Sequence, residues 1–132
     1  MEILTHKKAA PRLLGSPVRV ERGKRAEVEL LTSEEMVVDS YGLVHGGFTY
    51  GLADYTAMLT VNHPFVVLGK SESRFIAPVR VGDLMNAVGR VTEEEDRKKT
   101  VTVDVQVEGK KVFTGVFTCY VLEKHVLTES NP

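Results

Sequence analysis

Two consecutive glycines, Gly46 and Gly47, stand between His45 and Phe48, and Asp54 follows seven residues after Gly47. From Phe48 to Asn62, Leu52, Met58 and Leu59 recur with the small Ala53 and Ala57 at three- and four-residue spacings, and Pro64 closes the segment. That period predicts one long helix beginning at the glycines. Glycine at a helix start usually costs stability. Its chemical use is to let a ligand carbonyl approach the free amides of the first turn, which carry partial positive charge and stabilise an oxyanion. A sharp turn from an extended segment into the helix explains the pair equally well.

Asp54 sits among Leu52, Ala53, Ala57 and Met58, on or beside a surface that otherwise reads as buried. Aspartate has poor helix propensity and is expensive to bury unpaired. Either function retains it, or it faces solvent or a neighbouring strand. Seven residues are two helical turns, about 10 Å along the axis, so Gly47 and Asp54 share a face that one substrate could span.

The remaining elements must hold that face. Strand character runs over Leu13–Val20 and Arg25–Leu31, where Ala26, Val28 and Leu30 alternate with charged residues. Thr32-Ser33-Glu34-Glu35-Met36 suits a short helical turn, with a hydroxyl at its start and acids behind. After the helix come strands over Phe65–Val79, Leu84–Thr92, Lys99–Val107 and Val112–Leu122. Val101, Val103, Val105 and Val107 give the third an apolar face. Pro78 to Asp83 is a turn-rich connection, Glu93 to Lys99 a charged hairpin tip, and Glu108-Gly109-Lys110 a tight turn. Strand, strand, helix and four strands predict an α+β layer in which an antiparallel sheet wraps one helix. Its uncovered face and edges favour oligomerisation.

The 132 residues read as one domain, 1–132, with a core over 13–122 and a flexible C-terminal tail. Lys plus Arg is 17 against 18 for Asp plus Glu, a balance that gives no field favouring nucleic acid or an anionic membrane. No segment reaches the ~18 apolar residues of a membrane span, and the N-terminus lacks the apolar run of a signal peptide. One cysteine, Cys119, excludes an intramolecular disulfide and reads as a small core residue. The cytoplasm is the expected location. His6, His63 and His125 lack metal-ligand spacing, so no metal is expected.

His45-Gly46-Gly47 followed by Leu52-Ala53-Asp54 resembles the motif of the hotdog thioesterases related to the phenylacetate-degradation enzyme. Phe75-Ile-Ala-Pro78 followed by Gly82-Asp83 is similar to a second segment of that family, and the likeness covers roughly residues 13–122. The resemblance implies a hotdog fold, an acyl-CoA thioester substrate and no other cofactor. It makes Asp54 the general base or nucleophile, gives carbonyl polarisation to the amide of Gly47 with Gly46 beside it, and matches His45 to the histidine before the glycines. It implies a homodimer, often paired again into a tetramer, with sites between subunits. It places Lys70, Ser71, Glu72, Ser73 and Arg74 on the strand lining the pocket. Ser71 and Ser73 are then candidates to hold the attacking water, and Lys70, Arg74, Arg80, Arg90 and Lys99 are candidate cations for the coenzyme A phosphates.

One position departs from the pattern. Six residues before His45 the family carries Asn or Gln, whereas this chain has Asp39. An ionised carboxylate cannot donate a hydrogen bond as a carboxamide does. Asp39 is therefore either a protonated donor in the site, a replacement with another role or a cap on the following turn. The same motif occurs in hotdog proteins that resemble non-catalytic binders, so an acyl-CoA-binding sensor or accessory protein is the reading that competes with hydrolysis.

Overall fold

The computed structural model describes residues 1–128. One long helix, α2 (Gly46–Val61), lies across a six-stranded antiparallel sheet. The strands are β1 (Ser16–Glu21), β2 (Arg25–Leu31), β3 (Val66–Phe75), β4 (Leu84–Glu95), β5 (Lys98–Val107) and β6 (Lys110–Val121), in the order β1-β2-β4-β5-β6-β3. This is the predicted α+β arrangement, a hotdog fold. Strands β4, β5 and β6 follow one another as hairpins. Because β2 and β3 lie on opposite sides of that block, the connection between them crosses the sheet, and α2 is that connection.

Period-two patterning decides which face the helix covers. Ala26, Val28 and Leu30 of β2, Met85 and Ala87 of β4, Val101, Val103 and Val105 of β5, and Phe113, Phe117 and Cys119 of β6 are all buried against it. Each larger apolar side chain in that set contributes about 1.5–3 kcal/mol by leaving water. From Leu52 to Val61 every residue of α2 is buried except Asp54.

Three boundaries differ from expectation. The strand expected over Leu13–Val20 is instead a helical turn, α1 (Pro11–Leu14), followed by β1. Pro11 suits a first helical position, and Gly15 at φ 111 makes the break. The strand expected from Phe65 to Val79 stops at Phe75. The charged hairpin tip shrinks to two residues, since Glu95↔Lys98 and Glu94↔Lys99 pair across the strands and Lys99 reaches Glu94 at 3.3 Å. Glu34–Met36 does form a short 3-10 turn, but its Ser33 hydroxyl does not cap it, and Thr32 bonds the carbonyls of Arg80 and Asp83 instead. Of the tail, Val126–Thr128 forms a further 3-10 turn, and residues 129–132 lie outside the described residues. No helix is long and apolar enough to cross a membrane.

Candidate functional site

The start of α2 is built by His45. Its backbone is extended, and its Nδ1 accepts the Gly47 amide at 2.7 Å. Its carbonyl accepts the Phe48 amide at 3.0 Å. Of the first three helical amides, only that of Gly46 lacks a partner among the described residues. A Cβ on Gly47 would come within 2.8 Å of His45 Nδ1, so the cap itself requires glycine there. One on Gly46 would approach the Phe75 ring to 3.2 Å. Beside Gly46 opens a mostly apolar cleft of about 290 Å³, lined by Leu43, Val44, Thr49, Phe75, Ile76 and Val79 among others.

Below this start, β3 runs along α2. Phe75 lies beside Gly46, and one turn on, the Tyr50 hydroxyl meets Ser71 Oγ at 2.6 Å. The Tyr50 ring packs on Phe113 and Phe117, with centroids at 6.4 and 5.7 Å. Ser71 and Ser73 point inward, and Ser73 Oγ is buried without a hydrogen-bond partner. Lys70, Glu72 and Arg74 alternate outward and are exposed. Because β3 is an edge strand, its far side pairs with nothing among the described residues.

Asp54 lies one further turn along, on the side of α2 that bears Tyr50. Its Oδ1 is buried and has no hydrogen-bond partner. Burial pushes the carboxyl above its ordinary value, and the positive charge available at His6 pulls it part of the way back. Reciprocally, burial lowers His6 and Asp54 raises it. Near the same carboxylate, the Cys119 thiol is pushed up to about 12, chiefly by burial and secondarily by Asp54. A carboxylate held this way is a proton acceptor of more than ordinary basicity.

Asp39 lies elsewhere. It is exposed in the loop before α2, and its Oδ1 accepts the amides of Tyr41 at 2.9 Å and Leu43 at 3.1 Å. Within one chain the structure brings Gly46, Gly47, His45, Ser71, Ser73 and Asp54 onto one side of α2. It leaves Asp39 and the outward β3 side chains away from that line. Two residues join the site that the sequence did not single out for it. Tyr50 was accessible in principle, lying four residues before Asp54 on one helical face. His6 was not, since nothing local in the sequence ties it to a carboxylate 48 residues later. Among the described residues no group of three His, Cys, Asp or Glu side chains is placed to hold a metal.

The sequence matches the thioesterase superfamily over residues 41–114, from the loop after Asp39 into the first half of β6. The chain belongs to the thioesterase superfamily. Within solved structures of this fold, an uncharacterized protein from Pyrococcus horikoshii is 55% identical with a TM-score of 0.94, covering 96% of this chain and 97% of that one. A mutant of the phenylacetic acid degradation protein PaaI from Thermus thermophilus is 27% identical with a TM-score of 0.77, covering 85% and 97%. Among curated relatives, methylthioribose-1-phosphate isomerase of Aquifex aeolicus is 47% identical over 89% of this chain but only 25% of its own length. The transcription factor FapR of Caldanaerobacter subterraneus is 30% identical over 87% of this chain and 58% of its own. This superfamily member thus spans a quarter to somewhat over half of the curated relatives it matches.

Proposed function

We propose that the protein hydrolyses the thioester of an acyl-CoA. The observation that carries this reading is the buried, unpartnered Oδ1 of Asp54, two helical turns from the glycines that open α2. In the reaction, the Gly46 amide, the first-turn donor not already engaged, polarises the thioester carbonyl beside the apolar cleft, with Gly47 and His45 shaping the approach. Asp54 takes a proton from the attacking water, or attacks the carbonyl itself. The tetrahedral intermediate collapses by breaking the carbon–sulfur bond: after attack by water the thiolate takes up the proton held by Asp54, leaving free acid and coenzyme A; after direct attack the acyl group is left as a mixed anhydride with Asp54, which water hydrolyses to free acid and the restored carboxylate, a proton from that water going to the thiolate.

The unpaired β3 edge supports a homodimer in which a second copy continues the sheet, with pairs of dimers forming a tetramer. Lys70 and Arg74 on that strand are then the cations nearest the coenzyme A phosphates, Glu72 lies between them, and Ser71 and Ser73 hold water at the site. Location in the cytoplasm accords with this substrate.

A second reading, binding without turnover, is favoured by Asp39. Its carboxylate is committed to the Tyr41 and Leu43 amides, and FapR, named a transcription factor, shares 30% identity. A panel of acetyl-, medium-chain and aryl-acyl-CoA distinguishes the two readings. Calorimetric binding with thiol release supports the enzyme, and binding with no release across the panel overturns it in favour of the sensor. Light scattering of the same sample reports the assembly.

A further inference from the structure

On β6, the residues opposite Phe75, Ser73 and Ser71 of β3 are Phe113, Gly115 and Phe117. A Cβ on Gly115 would come within 2.8 Å of the Phe117 ring and 3.1 Å of the Phe113 ring, so the two phenyl groups close over the glycine, their centroids 6.5 Å apart. Both are fully buried. The Tyr50 ring lies on this pair, edge-on to Phe113 and tilted against Phe117. Its far end is held as well, by the 2.6 Å hydrogen bond between its hydroxyl and Ser71 Oγ. Packing at one end and a hydrogen bond at the other fix the side chain along its whole length.

The protons of that hydrogen bond can be counted. Each hydroxyl carries one, and the bond between them uses one. A phenol is a stronger acid than an alcohol and a weaker acceptor, so Tyr50 donates and Ser71 accepts. The proton left over is therefore that of Ser71, which has no second partner among the described residues. Two residues along β3, the Ser73 Oγ is buried with no partner at all. One turn along α2 from Tyr50, the buried Asp54 Oδ1 has no donor. Hydroxyl donors on β3 and a carboxylate acceptor on α2 thus border the same side of the helix, with Tyr50 between Gly46 and Asp54.

We infer that Tyr50 is a positioning residue: by donating to Ser71 it fixes the serine as a donor, whose proton then holds the oxygen of the water or thioester on which Asp54 acts. The oxygen served rests on the hydrolysis reading; the hydrogen bond does not. Without the phenol, the Ser71 hydroxyl rotates between donating and accepting, and its proton has no single direction. The ring packing on Phe113 and Phe117 does not need the hydroxyl, so the two contributions of Tyr50 are separable.

Tyr50→Phe separates them, since it keeps the ring and removes the hydroxyl. On an acyl-CoA that wild type hydrolyses, kcat is expected to fall about 10-fold with KM within about two-fold, the loss of one hydrogen bond felt in turnover. Ser71→Ala is expected to fall as far, and the double variant no further than either single one, because both remove the same bond. An unchanged kcat in Tyr50→Phe, or losses that multiply in the double variant, overturns the inference. The bond is read separately from the carbon-13 resonance of Tyr50 Cζ, which responds to what the phenol oxygen does. It is expected to shift in Ser71→Ala, and an unmoved resonance also overturns the inference. If wild type releases thiol from no acyl-CoA, the hydrolysis reading fails, and the resonance alone decides whether Tyr50 holds Ser71.

Discussion

The Nδ1 of His45 accepts the amide of Gly47 at 2.7 Å, so an imidazole, in place of the usual hydroxyl or carboxamide, caps the helix that carries Asp54. This geometry binds the histidine and the second glycine into one unit. His45→Ala is expected to cost about 1 kcal/mol in chemical denaturation. His45→Asn, which restores a capping acceptor, is expected to recover most of that loss. Equal losses in the two variants would show that the cap is not what the histidine supplies.

Asp54 lowers stability at neutral pH. Because its folded-state pKa lies above the unfolded one, the native state holds the proton more tightly, and stability declines as pH rises from 3.8 through the raised value. Asp54→Asn removes that decline. The variant is expected to be more stable than wild type at pH 7 by on the order of 0.5–1 kcal/mol, the partial wetting of the group limiting the gain. Thermal melts should show the difference narrowing below pH 3.8. A destabilised Asp54→Asn at neutral pH would mean that the carboxylate has a native partner.

Asp39 holds its loop through two accepted amides, from Tyr41 and Leu43. An Asn carbonyl accepts the same bonds, so Asp39→Asn is expected to melt within a degree or two of wild type, whereas Asp39→Ala loses about 1 kcal/mol. If Asp39→Asn also raises thiol release, the carboxylate reaches a site completed by the second subunit.

Cys119 is buried and its thiol is pushed up to about 12, so the thiolate is scarcely populated near neutrality. Alkylation by iodoacetamide at pH 8 should proceed only through opening of the β3–β6 edge. The rate is expected to follow the hydrogen exchange of the Leu68 and Cys119 amides. Fast modification of the folded protein would contradict the burial.

The sequence conveyed the fold through strict alternation in β2 and β5 and the three- and four-residue spacing of α2, which register directly on a sheet and a helix. It conveyed the line from Gly46 to Asp54 because both ends lie on one helix, where spacing is geometry. Boundaries failed where pairing across strands overrode local composition, as at Glu94 and Lys99, whose opposite charges extend a hairpin that reads as a loop. The role of His45 was legible only as alternatives, since a side chain turning back on its own helix and one facing a ligand have the same local sequence. His6 was illegible, because its electrostatic influence on Asp54 arises from tertiary structure and leaves no local signal in the sequence.

The central claim is that Asp54 acts on an acyl-CoA thioester, and the most direct test is the initial rate of thiol release by wild type and Asp54→Asn on an acyl-CoA that both bind. Wild type is expected to release thiol and Asp54→Asn to lose at least about 100-fold in that rate, with binding retained. Equal rates in the two proteins, or no release by wild type on any bound acyl-CoA, would contradict the account.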